Sequence, residues 1–169
     1  MKDKLLKFMT GILLIMWMIV VFLFSKEQSN ETINTSEIFT ERILNVVTKI
    51  IDIQEFEKGE LVQILNPYVR KFAHYSLYTT GGILIIIHIS QYKKLTGKKR
   101  IIISLIIGIS YAISDEIHQY MVPGREGKMQ DVYLDSLGIA TGIVIILIII
   151  NIYEKIKYIS NLVWRGNND

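Results

Sequence analysis

Apolar residues in this chain come in blocks rather than at an even amphipathic period. Residues 5–24 are interrupted only by Lys7, residues 101–114 carry no charge, and residues 72–90 carry only two histidines. Asp135 is the last charge before a fourth block, residues 136–153. A helix needs roughly 20 apolar residues to cross a bilayer. The pattern therefore predicts four transmembrane helices, the third running on into its polar end near Gln119. Between the first two blocks the sequence changes character. SKEQSNETINTS reads as a polar linker, and Ser36 then caps a helix in which Ile43, Val46, Val47, Ile50 and Ile51 recur at helical spacing. Leu61, Ile64 and Leu65 continue that spacing after Gly59. Pro67 suits the first turn of the second membrane helix.

The expected fold is thus an all-α integral membrane protein with four transmembrane helices and an amphipathic helical segment in the first extracytoplasmic loop. Its parts are an N-terminal membrane helix (residues 1–24), an extracytoplasmic linker with amphipathic helices (25–66), a three-helix membrane core (67–153) and a cytoplasmic tail (154–169). The first helix is read as uncleaved. Its apolar core exceeds the roughly 7–15 residues of a signal peptide, and no A-x-A site follows it.

Half of the 169 residues are hydrophobic and the mean hydropathy is +0.34. No cysteine is present, which excludes disulfides and thiolate metal sites. A pI near 9.0 would suit nucleic acid, but the distribution of charge argues for topology instead. The N-terminus, residues 91–100 and the C-terminal tail together hold eleven basic and three acidic residues, leaving eight basic and thirteen acidic elsewhere. By the positive-inside rule both termini and the loop QYKKLTGKKR are cytoplasmic.

That topology brings separate polar groups to one depth. Arg70, Lys71 and His74 open the second membrane helix at its outer end. Ser114, Asp115, Glu116, His118 and Gln119 close the third at the same end, Arg125 lies in the loop between, and Asp131 and Asp135 open the fourth. Arg70, His74 and Tyr78 are successive i, i+4 neighbours, as are Ser114 and His118, and Asp131 and Asp135. The expected site therefore has Asp115, Glu116, His118, His74 and Asp135 as candidate catalytic groups. Arg70, Lys71, Gln119, Arg125, Asp131 and Ser114 are candidate ligand-binding groups. A histidine beside a carboxylate suits a general base, and arginines suit a phosphate held by a bidentate fork. Two histidines with carboxylates are also compatible with a divalent metal, although no tight ligand motif such as H-E-x-x-H occurs. His88, near the inner end of the second helix, is read as structural and without a partner group. GIATG, residues 138–142, has the G-x-x-x-G spacing of close helix packing.

RKFAHYSLY followed by SDEIHQYMVPGREGKMQDVYLDSLG resembles the VanZ-like family of bacterial membrane proteins. Members share a basic residue before A-H, then S-D-E-x-x-Q, a loop arginine, and D-x-x-x-D/N-x-x-G. The matching positions are Lys71, His74, Ser114, Asp115, Glu116, Gln119, Arg125, Asp131, Asp135 and Gly138, and the resemblance spans about residues 66–150. The family's founding member is linked to teicoplanin resistance in Gram-positive bacteria. The resemblance implies a cell-envelope protein whose partners are the bilayer and an anionic lipid or cell-wall-precursor headgroup, with no nucleic acid. The alternative is a membrane-embedded hydrolase or transferase acting on a lipid-linked phosphate. Oligomeric state and cofactor are not specified by these residues.

Overall fold

A computed structural model describes residues 2–26, 29–47, 55–122 and 128–166 of the protein. These form five helices: α1 (Lys2–Lys26), α2 (Ser29–Val47), α3 (Glu55–Ser90), α4 (Gly97–Tyr120) and α5 (Met129–Gly166). No strand occurs among the described residues. Four helices are long and apolar enough to cross a membrane, over Asp3–Ser25, Gly59–Ser90, Gly97–Tyr120 and Met129–Asn161. Their outward faces carry large exposed aliphatics such as Leu13, Ile19, Ile106 and Ile148, the surface that lipid would cover.

Three expectations about helix limits require correction. Pro67 lies inside α3 rather than in its first turn. Residues N-terminal to it are helical because they pack on α2, with Val62 and Asn66 buried on α3 and Thr40 and Leu44 on α2, each pair one turn apart. That packing offsets the roughly 3 kcal/mol that proline costs a helix interior. Likewise α2 begins at Ser29, so most of the expected polar linker is helical. Ser, Asn and Thr dominate that stretch and are poor helix formers, so packing of α2 on α3, not propensity, sustains it. At the other end, α5 continues past residue 153 to Gly166, with residues 147–161 exposed on all sides.

The bundle is organised around contacts between α3 and α5, where glycines remove the Cβ that would hold the backbones apart. A Cβ on Gly82 would strike the carbonyl of Ile139, and one on Gly142 the carbonyl of Thr79. One on Gly138 would come within 2.7 Å of the Tyr75 carbonyl. The G-x-x-x-G pair of α5 therefore sits directly on the α3 backbone. Gly108 of α4 receives Ile139 in the same way, its absent Cβ lying 2.5 Å from Ile139 Cγ2.

The first helix docks through Trp17, whose indole fills the space above Gly81 and donates from Nε1 to the Leu77 carbonyl at 2.9 Å. Its ring meets Tyr78 edge-on, with centroids 5.9 Å apart. Tyr111 of α4 donates to the Met18 carbonyl at 2.7 Å. Trp17, Tyr78, Ile85, Ile86, Ala112, Ile139 and Ile143 form the core common to these helices.

His88 does have a partner group, contrary to its reading from sequence. Its Nδ1 is 3.0 Å from Thr10 Oγ1, which also accepts from Gln91 Nε2 at 2.7 Å, and its ring packs against Tyr92. The partner was invisible because Thr10 is 78 residues away. Lys7 lies over the Tyr92 ring at 4.6 Å. Nearby, Asp3 accepts from Lys93 at 2.8 Å, and that carboxylate raises the Lys93 ammonium above its usual range. Both groups are exposed, so the pair adds little stability.

Candidate functional site

The far end of the bundle from His88 gathers the polar groups of α1, α3, α4 and α5. In α4 the residues Ser104, Gly108, Ala112, Asp115, Glu116 and Gln119 are buried along one face. The apolar period thus carries straight into three polar side chains at the helix end. Burial is expensive for such groups unless donors and acceptors are matched.

For Asp115 they are matched in full. Its Oδ1 accepts from the Ser25 hydroxyl, and its Oδ2 accepts from the Tyr78 hydroxyl and from Gln119 Nε2, both at 2.9 Å. Gln119 also donates to Ser25 Oγ at 3.3 Å. One carboxylate 5% exposed thereby ties α1 and α3 to α4. Neither Ser25 nor Tyr78 was among the residues expected at the site. Tyr78 had a signal, its i, i+4 stripe with Arg70 and His74; Ser25 had none, since it sits just past the apolar block of α1.

Asp135, on α5, is 1% exposed and has a different environment. Neither of its carboxylate oxygens receives a hydrogen bond, and the nearest charged partner is His74 Nδ1 at 3.9 Å. Asp115, Glu116 and Asp131 are close enough for their charges to act on it. His74 is partly accessible, with 20% of its side chain exposed. Close by, the Tyr75 hydroxyl donates to Thr141 Oγ1 at 2.8 Å and fixes α3 against α5.

The other expected residues occupy the rim of this end. Glu116 is buried and its Oε1 accepts from the backbone N–H of Lys128, which anchors the start of α5 to α4. His118 is half-buried with its ring 4.5 Å from that of Phe22 on α1. Arg70 and Asp131 are half-buried, while Lys71 and Lys128 are exposed. Ser114 is exposed, and its hydroxyl donates to the Tyr111 carbonyl of its own helix at 2.8 Å rather than to His118. Arg125 lies outside the described residues.

Chemically, the end combines a buried carboxylate with every hydrogen-bonding need met, a second one without donors, an imidazole between the second and solvent, and basic side chains outside them. No three of His, Asp or Glu are arranged to hold a metal ion among the described residues. A family model described as VanZ/LLP1 matches residues 10–150. No match to a curated protein or to a solved structure was found.

Proposed function

From its membership of the VanZ/LLP1 family, to which this multi-pass membrane protein belongs, and from the polar end of its bundle, we propose that the protein binds an anionic headgroup there. The headgroup belongs to a membrane lipid or a lipid-linked cell-wall precursor, both of which present a phosphate. One observation carries the reading: four helices deliver polar side chains to a single end, and Asp115 locks three of those helices together through Ser25, Tyr78 and Gln119. A site braced in this way is preorganised, so little ordering cost falls on ligand binding. Arg70, Lys71 and Lys128 supply cationic groups at its rim. In the membrane this end faces outward, with the basic loop 91–100 and both termini cytoplasmic. Occupying a precursor headgroup at the outer leaflet would lower susceptibility to a teicoplanin-type glycopeptide that seeks the same ligand.

A short-chain lipid phosphate and its diphosphate, titrated into detergent-solubilised protein, test the reading. Arg70→Gln should weaken binding about tenfold, the loss of one charge-assisted hydrogen bond. Lys99→Gln, at the other end of α4, should leave it unchanged. Equal affinity in wild type and Arg70→Gln contradicts the assignment.

The orientation has its own test. Single cysteines introduced at Gly124 and at Thr96 should react with an impermeant maleimide from the outside and from the cytoplasmic side respectively. The reverse would place the site on the cytoplasmic face, and labelling of both from one side would contradict the convergence of the polar groups.

A second reading follows from the His74–Asp135 pair at 3.9 Å. A carboxylate behind an imidazole orients it for proton transfer, as in a hydrolase or transferase acting on a lipid-linked phosphate. Turnover of the same lipids, abolished by His74→Gln with binding retained, would select it.

A further inference from the structure

The two buried aspartates of the bundle end have opposite surroundings. Asp115 collects three donors, from Ser25, Tyr78 and Gln119. Asp135 is the more deeply buried at 1% exposure, and neither of its oxygens receives any. The Tyr78 hydroxyl, within electrostatic reach of both carboxyls, has a single proton, and it is given to Asp115. No lysine or arginine among the described residues comes within 4.0 Å of Asp135, and His74 Nδ1 at 3.9 Å is beyond hydrogen-bond reach.

Among the described residues, the other groups acting on it are the acids Asp115 and Glu116 from α4 and Asp131 from α5 itself, each opposing a negative charge there, and the neutral hydroxyl of Tyr78 from α3. An ionised carboxylate buried without donor or counter-charge costs several kcal/mol, and such groups take up a proton instead. Where two acids share a site, contrasting environments assign one as the anion and the other as the acid.

We infer that Asp135 is a proton-binding site: in the resting protein it is a neutral carboxylic acid, with His74 as the base through which its proton exchanges with the bundle surface. The arrangement gives the site a proton store one side chain away from solvent. It also removes from the polar end a full negative charge that would otherwise repel an anionic ligand. The inference rests on burial and missing donors alone and stands whether or not the bundle end binds a headgroup.

Protein labelled with carbon-13 at the aspartate carboxyl and reconstituted into phosphatidylcholine vesicles provides the test. Infrared spectra near neutral pH should contain the carbonyl stretch of a protonated, labelled aspartic acid. Asp135→Asn should remove that band. Asp135→Glu keeps an acid in place for folding but takes the label away, and it should remove the band as well. Absence of the band in wild type overturns the inference, and so does its persistence in either variant.

Discussion

Asp115→Ala is expected to destabilise the bundle by about 2–5 kcal/mol, the largest loss from any single polar side chain in the protein. Three donors converge on this carboxylate, from α1, α3 and its own helix. Hydrogen bonds between membrane helices contribute about 0.6 kcal/mol on average and up to about 1.7 each. Removing the acceptor strands all three donors together, in a place where Ser25 and Gln119 are no more than 5% exposed and Tyr78 is fully buried. An unsatisfied buried group costs more than a hydrogen bond gains. Tyr78→Phe deletes one of the three and should cost no more than about 1.7 kcal/mol. Ser114→Ala, which removes only a bond to the Tyr111 carbonyl of its own helix, should stay within about 0.5 kcal/mol. Unfolding titrations in mixed micelles of a denaturing and a mild detergent would rank the three. A finding that Asp115→Ala is no weaker than Ser114→Ala would mean that the carboxylate is not the tie between helices.

The second large effect belongs to the α3–α5 contact. Gly142→Val should abolish the folded bundle or destabilise it by more than the usual 1–3 kcal/mol of an overpacked core. The atom in the way is the backbone carbonyl of Thr79, which cannot turn aside as a side chain could, and Ile83 N stands 2.8 Å from the same position. Gly82→Val meets the Ile139 backbone and should behave alike. Both changes push α5 off α3 and so part Asp135 from His74, which couples a packing defect to the site. Gly59→Ala, where a Cβ would meet nothing within 4 Å, is the control. It should be neutral or slightly stabilising, because alanine is the better helix former by about 1 kcal/mol. Yield of monodisperse protein and thermal unfolding in detergent report both outcomes.

Much of this design was legible in the residues. Lipid demands long uninterrupted apolar runs, so the four spans announced themselves. The spacing that paired Ser114 with His118 did not mark the buried face of α4, which carries Asp115, Glu116 and Gln119. The spacing of Gly138 and Gly142 likewise pointed to a close helix contact, although Gly81 and Gly82 on the opposing helix passed without notice. What the sequence hid depends on distant pairings. Ser25 lies 90 residues from Asp115, and Thr10 lies 78 from His88. A serine or threonine at a helix end has many local uses, and nothing in its neighbourhood reveals which remote group it serves. Helix limits failed for a related reason. Packing between α2 and the first turns of α3 overrides both the proline and the polar composition that would stop an isolated helix. Asp115 and Asp135 looked alike in sequence, each flanking the outer end of an apolar block. Only the number of donors around them tells the two apart.

The site exists only if the end of α1 lies against the end of α4 beside Asp115. Because the chain contains no cysteine, Phe22→Cys combined with His118→Cys offers a direct measurement, these two rings being 4.5 Å apart. Mild oxidation in native membranes should link the pair rapidly and within one molecule, while Phe22→Cys with Lys99→Cys, at the opposite end of α4, should stay reduced. Equal linking of both pairs, or none of the first, would contradict the convergence of helices on which the site depends.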